Sequence, residues 1–283
     1  MRHLRPLNFV LVVGLALLSC DGHYRLRDAK RVSSTLLIPA ATTEVRLEVP
    51  AGSVSIEPSP GNDIVYEAEV QRSADTAEDL ETLKALEPGL RIVPGPQAGR
   101  MRVVAATLPA GLDPHTTWLS YRMLVKIPKT LRVDLVIGDG NASVIGMQSG
   151  AGVETGRGIL LLKQCSGDSR MRSGKGDLTV DSHMGALDAE TGAGKIVAFV
   201  DALGAKGLRL VSGSGGIQAH LPRESAFTLD MRAPEGKVDA TWQFPIRREH
   251  GGVFMSGTVG VGGPLVYIES LAGSVSLRAE GSK

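Results

Sequence analysis

Four hydroxyl side chains, Thr155, Ser173, Thr191 and Ser212, return at a nearly constant interval, each directly before a Gly-x-Gly triplet. A row of hydroxyls along a repeat could be a ladder of ligand contacts. Ser or Thr ahead of Gly is also ordinary turn chemistry, which weighs towards a structural role. A second set is charged. Arg170, Asp188 and Arg209 share one repeat position, and Glu154, Arg172 and Glu190 share the position two residues on. Asp168, Arg170, Arg172 and Asp188 gathered on one outer face could serve acid-base chemistry on a polysaccharide. Alternating sign explains most of them without chemistry, because opposite charges facing each other across neighbouring strands stabilise the pairing.

The elements that would hold these residues are short strands. Gly138-Asp139-Gly140, Gly156-Arg157-Gly158, Gly174-Lys175-Gly176, Gly192-Ala193-Gly194 and Gly213-Ser214-Gly215 are separated by three intervals of 18 residues and one of 21. A fixed period punctuated by Gly is the mark of stacked units that bury their apolar faces only against one another. Four and six residues after each first Gly stand two apolar columns, Ala142/Leu160/Leu178/Ile196/Ile217 and Val144/Leu162/Val180/Ala198/Ala219. The position between them is polar in three of five cases, the rhythm of a half-buried strand. A second strand precedes each triplet, with Ala151/Ser169/Leu187/Leu208 and Val153/Met171/Ala189/Leu210 expected inward. The expected fold is all-β: a parallel β-helix, or β-solenoid, with coils of about 18 residues.

Local motifs for other chemistry are missing from the sequence. There is no Gly-x-Ser-x-Gly, His-x-x-x-His or Cys-x-x-Cys. Gly192-Ala193-Gly194-Lys195 is followed by Ile196 rather than Ser or Thr, so it is no phosphate loop. A dinucleotide fold would need a helix after the glycines, where a strand is expected. We therefore expect no enzyme activity, no metal and no cofactor.

The first 19 residues read as an export signal. Arg2, His3 and Arg5 are basic, and an apolar run from Leu7 to Leu18 of about 12 residues is too short to span a membrane. It ends in Leu17-Leu18-Ser19-Cys20, which resembles the lipobox of bacterial lipoproteins, so Cys20 is the expected lipidation site. Acyl chains there would hold the chain to a membrane surface, at about 0.8 kcal/mol per buried CH₂. Lipidation leaves Cys165 as a lone thiol at an expected turn, one repeat from Met147 and His183, with no disulfide framework. Cleavage removes Arg2 and Arg5, so 29 basic residues face 30 acidic ones. That balance offers no electrostatic footprint for nucleic acid.

Residues 20–34 are expected to be the lipidated Cys and a tether, 35–137 a β-rich part, and 138–283 the Gly-rich repeat, continuous with it. Val45, Leu47 and Val49 alternate with Glu44, Arg46 and Glu48 in the manner of a half-buried strand. One helix is expected over 75–87, opened by Asp75 and Glu78 as a capping box, stopped by Pro88-Gly89, and covering a sheet end. Ala51-Gly52-Ser53-Val54-Ser55-Ile56 recurs as Ala272-Gly273-Ser274-Val275-Ser276-Leu277, which argues for one β-domain.

The repeated (Ser/Thr)-Gly-x-Gly, Val125-Lys126-Ile127-Pro128-Lys129 ahead of it, and Gly260-Val261-Gly262-Gly263-Pro264-Leu265-Val266 after it together resemble the putative adhesin domain family of bacterial envelope proteins. The resemblance covers about residues 40–280 and implies a solenoid-like fold at the cell surface or in the periplasm, without functional residues of its own. The lipobox and the loops 94–100 and 109–115 depart from the simplest members. The expected function is thus a non-catalytic, lipid-anchored envelope protein contacting a glycan, peptidoglycan or another envelope protein. The alternatives are a β-helix polysaccharide lyase or hydrolase and a purely structural envelope-stress factor.

Overall fold

The computed structural model describes residues 26–94, 97–249 and 251–280. Cys20 and the signal-like segment lie outside these residues.

The N-terminal part contains β1 (Leu26–Leu36), β2 (Glu44–Pro58), β3 (Ile64–Ala74), the helix α1 (Ala77–Lys84), β4 (Arg91–Val93), β5 (Arg100–Val104) and β6 (Thr117–Ile127). The repeat comprises β7 (Arg132–Ile145), β8 (Ala151–Arg157), β9 (Leu160–Ser166), β10 (Ser169–Lys175), β11 (Leu178–Ala193), β12 (Ile196–Ser214) and β13 (Ile217–Pro222). Last come β14 (Phe227–Ala233), β15 (Val238–Ala240), β16 (Ile246–Glu249), β17 (Gly252–Val259), β18 (Leu265–Ala272) and β19 (Val275–Glu280). The fold is all-β with one helix.

The repeat pairs with itself in parallel, at the offset its glycines set. Ahead of the glycine corner, β7, β8, β10, the second half of β11, the second half of β12 and β18 form one ladder. After the corner, β7, β9, β11, β12, β13 and β19 form another. Leu178 lies between Leu160 and Ile196, as the 18-residue interval requires. Every member of the four inward columns is buried, including Leu178 at 0% exposure.

Tight corners make such stacking possible. Gly52, Gly140, Gly158, Gly176, Gly194, Gly215 and Gly273 lie one upon the next. A Cβ on Gly176 would sit 1.9 Å from the carbonyl oxygen of Gly158, and its φ of +148° lies in the region that favours glycine. The recurring segments around Gly52 and Gly273 are thus the first and last members of this glycine column, and the 19 strands of the described residues join one hydrogen-bonded network.

The 21-residue interval is absorbed at the opposite corner. Gly185 pairs with Leu203 but Leu187 with Leu208, so three extra residues bulge outward between them. Lys206 in that bulge reaches Asp168, two turns earlier, at 2.7 Å.

Outside the repeat, antiparallel strands are added. β6 continues the second ladder beside β2, and β3 and β1 then extend it antiparallel. Residues 26–34, expected to be tether, therefore belong to a strand: β1 pairs along its whole length with β3, from Leu26↔Ala74 to Leu36↔Ile64. Its charged residues hid it, since β1 has no fully buried side chain to produce a strong apolar alternation. At the other end β14 pairs with β18, and β17 and β16 add antiparallel strands beyond it.

The helix is shorter than the expected 75–87, and its cap lies one residue later. Thr76, not Asp75, is its N-cap: the backbone N–H of Asp79 donates to Thr76 Oγ1 at 3.1 Å. Leu80 and Leu83 pack with Ala74, against Leu26, Leu108 and Leu112, closing that end of β1, β3 and β6. Beneath it lies Arg72, 1% exposed, donating through Nη1 to Asp28 at 2.9 Å and through Nη2 to the Leu86 carbonyl at 3.2 Å. Among the described residues no helix is long and apolar enough to cross a membrane.

Candidate functional site

The hydroxyl row points inward. Thr155, Ser173, Thr191 and Ser212 are all buried. Thr155 Oγ1 donates to the Gly140 carbonyl at 3.1 Å, Ser173 to Gly158 at 3.3 Å, Thr191 to Gly176 at 2.9 Å and Ser212 to Gly194 at 2.9 Å. Each hydroxyl ties a strand to the glycine corner of the unit before it, so the row holds the turns and presents no donor to a ligand. Ser270 extends it, donating to Gly215 at 2.7 Å. Only the Ser-x-x-Gly ending at Gly273 could have revealed this member in the sequence.

The charged columns face out from the first ladder and lie in the expected register. Arg170 pairs with Asp188 and Asp188 with Arg209, while Glu154 pairs with Arg172 and Arg172 with Glu190. Their contacts run diagonally as well as straight across. Arg172 bonds Glu190 and also reaches Asp188 at 2.9 Å, and Arg209 bonds Asp188 at 2.9 Å and Glu190 at 3.0 Å. Arg170 meets Asp188 only at 3.6 Å. Glu154, expected to join the ladder, forms no ion pair among the described residues.

The same face continues onto strands that the sequence did not connect to it. Arg102 pairs with Arg46, Arg46 with Asp134, and Asp134 with Gly152. Beyond Arg209 follow Tyr267 and Asp230. The outcome is a belt of arginines and carboxylates crossing the whole first ladder. Arg102, Arg46, Tyr267 and Asp230 pair across long stretches of chain, so periodicity within 138–221 gave no signal for them, while Asp134 stands one interval before Gly152.

Electrostatics hold several of the carboxylates in their charged form. Glu48 is held at about 2, chiefly by its hydrogen bond from Arg102 and then by Arg46. Arg172, followed by Arg209, keeps Glu190 below its ordinary value. The Lys206 ammonium does the same to Asp168. One pair behaves differently. Burial, followed by a hydrogen bond with Glu44, pushes the Asp134 carboxyl up. At Glu44 burial pulls upward, but its bonds with Asp134 and Arg100 outweigh that and leave it low. Of the two, Asp134 is therefore the first to take up a proton as pH falls.

Cys165 lies within β9 rather than at an exposed turn, and burial pushes its thiol up, away from the reactive thiolate. It sits in an inward column with His183, whose cross-strand partner it is, and near Met147; all three are buried. Among the described residues no group of three or more His, Cys, Asp or Glu is arranged to hold a metal ion.

No protein-family model matches the chain. No curated protein matches it in sequence. Among solved structures it is similar to a putative cell adhesion protein from Clostridium sporogenes ATCC 15579, at 12% identity and a TM-score of 0.36, over 89% of this chain and 100% of that one. It is also similar to a putative adhesin from Parabacteroides distasonis ATCC 8503, at 12% identity and a TM-score of 0.23, over 87% of this chain and 97% of that one. A third is a putative adhesin from Parabacteroides merdae ATCC 43184, at 12% identity and a TM-score of 0.25, over 88% and 96%.

Proposed function

We propose that this chain is a non-catalytic binding protein of the bacterial cell envelope, of adhesin type, held to a membrane by lipid on Cys20. Its two parallel ladders form a β-solenoid, and the charged belt of the first ladder is the surface that meets a glycan, peptidoglycan or an envelope protein. The observation that carries this reading is the belt itself: an outward-facing row of guanidinium and carboxylate groups across successive strands, from Arg102 and Arg46 through Arg170, Asp188 and Arg209 to Asp230, interrupted only by Gly152 and Tyr267. An extended polymer can contact such a surface at several strands at once.

The carboxylates that a lyase or hydrolase would need are engaged. Asp168 is bound by Lys206 at 2.7 Å, and Asp188 lies among Arg170, Arg172 and Arg209. Lys206 holds Asp168 below its ordinary value, which makes it a weak proton donor or acceptor near neutral pH, and the ion pairs of Asp188 occupy its oxygens; both favour binding over catalysis.

The test is co-sedimentation of the chain from Asp21 onward with purified peptidoglycan, envelope polysaccharide and intact cells. Saturable binding to one of them, reduced when Arg170 and Arg209 are replaced by Ala, is the expected result. Release of reducing sugar or unsaturated product, abolished by Asp168→Asn or Asp188→Asn, would establish the enzyme reading instead. For the anchor, Cys20→Ala is expected to move the protein out of the membrane fraction, and an unchanged distribution would refute lipidation there.

A further inference from the structure

The charged belt has one gap. Along the column Arg102, Arg46, Asp134, Gly152, Arg170, Asp188, Arg209, Tyr267 and Asp230, each residue pairs with the next, and Gly152 alone carries no side chain. A recess results there, walled by Arg46, Arg132, Asp134, Glu154, Arg170 and Arg172. The backbone does not require glycine at this position, since its φ lies outside the left-handed region. What a Cβ would meet is the Asp134 carboxylate, 2.3 Å away at Oδ1.

The charges around the recess are incompletely used, in contrast to those just beyond it. Arg172 turns both Nη atoms towards Glu190 and Asp188 on the next strand, and its Nε is buried without a partner. Glu154, its partner in register on the recess side, forms no ion pair among the described residues. Arg46 meets Glu48 through Nε at 2.8 Å and Arg170 meets Asp188 through Nε at 3.6 Å. No hydrogen bond engages the Nη fork of either among the described residues. Arg46 and Arg170 stand three strand spacings apart, roughly 14 Å between backbones, with the Asp134 carboxylate over Gly152 between them and the recess lined by all three.

A guanidinium fork matches a carboxylate bidentately, and a free carboxylate such as Glu154 accepts hydrogen bonds from hydroxyls. Two forks and an open carboxylate around one recess fit a ligand that carries both an acid and hydroxyls. We propose that the recess over Gly152 binds a hexuronic-acid residue of a polysaccharide, its carboxylate on Arg46 and Arg170 and its ring hydroxyls on Glu154. The inference rests on the reading of the belt as a binding surface and specifies the chemistry at one point of it.

The test is calorimetric titration of the full chain with an oligogalacturonate and with the same oligosaccharide after carboxyl reduction. Saturable binding of the acid form is expected, at least tenfold stronger than that of the reduced form. Arg170→Ala and Gly152→Leu should each weaken it at least tenfold, while Arg122→Ala, on the other ladder, leaves it unchanged. Should Gly152→Leu shift the denaturation midpoint, Arg170→Ala decides alone. Equal binding of the two forms, or an equal loss in Arg122→Ala, overturns the proposal. So does failure to bind oligogalacturonate by a chain that still sediments with an envelope polymer, in which case the broader binding role stands. Failure with every polymer sinks both.

Discussion

Thr191 Oγ1 donates to the carbonyl oxygen of Gly176 at 2.9 Å, joining a strand to a corner 15 residues earlier. The hydroxyl and the glycine act together: the glycine permits the corner, and the hydroxyl satisfies its carbonyl away from water. Thr191→Val keeps the shape and removes the donor. It should cost about 1–3 kcal/mol, the usual penalty for a buried acceptor left unsatisfied. Thr191→Ser, which keeps the donor, should recover most of that stability. Urea midpoints give the comparison, and equal losses in the two variants would remove the structural role assigned to the hydroxyl ladder.

The corner glycines should tolerate no side chain. Gly176→Ala forces a Cβ to within 1.9 Å of the Gly158 carbonyl oxygen at a φ of +148°. Strain of this kind costs about 1–3 kcal/mol for the dihedral alone, before the clash is added. Gly61→Ala is the control, because nothing lies within 4 Å of the added carbon and no positive φ is involved. A loss of more than about 3 kcal/mol at Gly176 against under about 0.5 at Gly61 is expected from denaturant unfolding. Similar values would mean that the corners relax and do not fix the register.

Burial alternates from one residue to the next at the start of β11, from Leu178 to Asp181, and that can be tested directly. Leu178 is completely buried between Leu160 and Ile196, whereas Thr179 faces outward. Leu178→Asp places an unpaired carboxylate in the core and should cost several kcal/mol or abolish folding, while Thr179→Asp should stay within about 1 kcal/mol. Equal losses would show that the inward and outward assignments are wrong.

These contrasts also show what the sequence made legible. Residues such as Leu178 and Gly176 announced themselves because the same residue types return at one interval and must stack to be buried. The register followed from that interval, and with it the column of Arg170, Asp188 and Arg209. β1 escaped because it lies at an edge, where Asp28 and Lys30 share the half-buried face with Leu26 and Val32 and leave little apolar alternation. Arg46 escaped as part of the belt because its alignment with Asp134 depends on β2 and β7 being adjacent despite the 73 residues between Pro58 and Arg132, whereas Asp134 stands one 18-residue interval before Gly152. Diagonal ion pairs such as Arg209 with Glu190 depend on rotamers, which a linear pattern does not encode.

The stability of the fold should fall on mild acidification, and His183 is one cause. It is fully buried, desolvation pushes its pKa down from the ordinary 6.5, and its Nδ1 has no hydrogen-bond partner. As pH drops below about 6.5 the unfolded chain takes up a proton that the folded chain resists, so the stabilisation present above that pH is lost as pH approaches the folded value. His220, also lowered chiefly by burial, acts in the same direction. Below about 4.5 the carboxylates held low, Glu48 at about 2 among them, add a second loss as they are forced to protonate. Asp134 opposes this modestly, because its raised pKa makes the folded state the first to take its proton. Met147 occupies the same column two units earlier, so His183→Met is a volume-compatible replacement. Melting temperatures between pH 7.5 and 5.5 should decline in the unmodified chain and decline less in His183→Met, with His220 accounting for the remaining slope. Identical slopes in the two proteins would show that His183 is protonated as readily in the fold as in the unfolded chain.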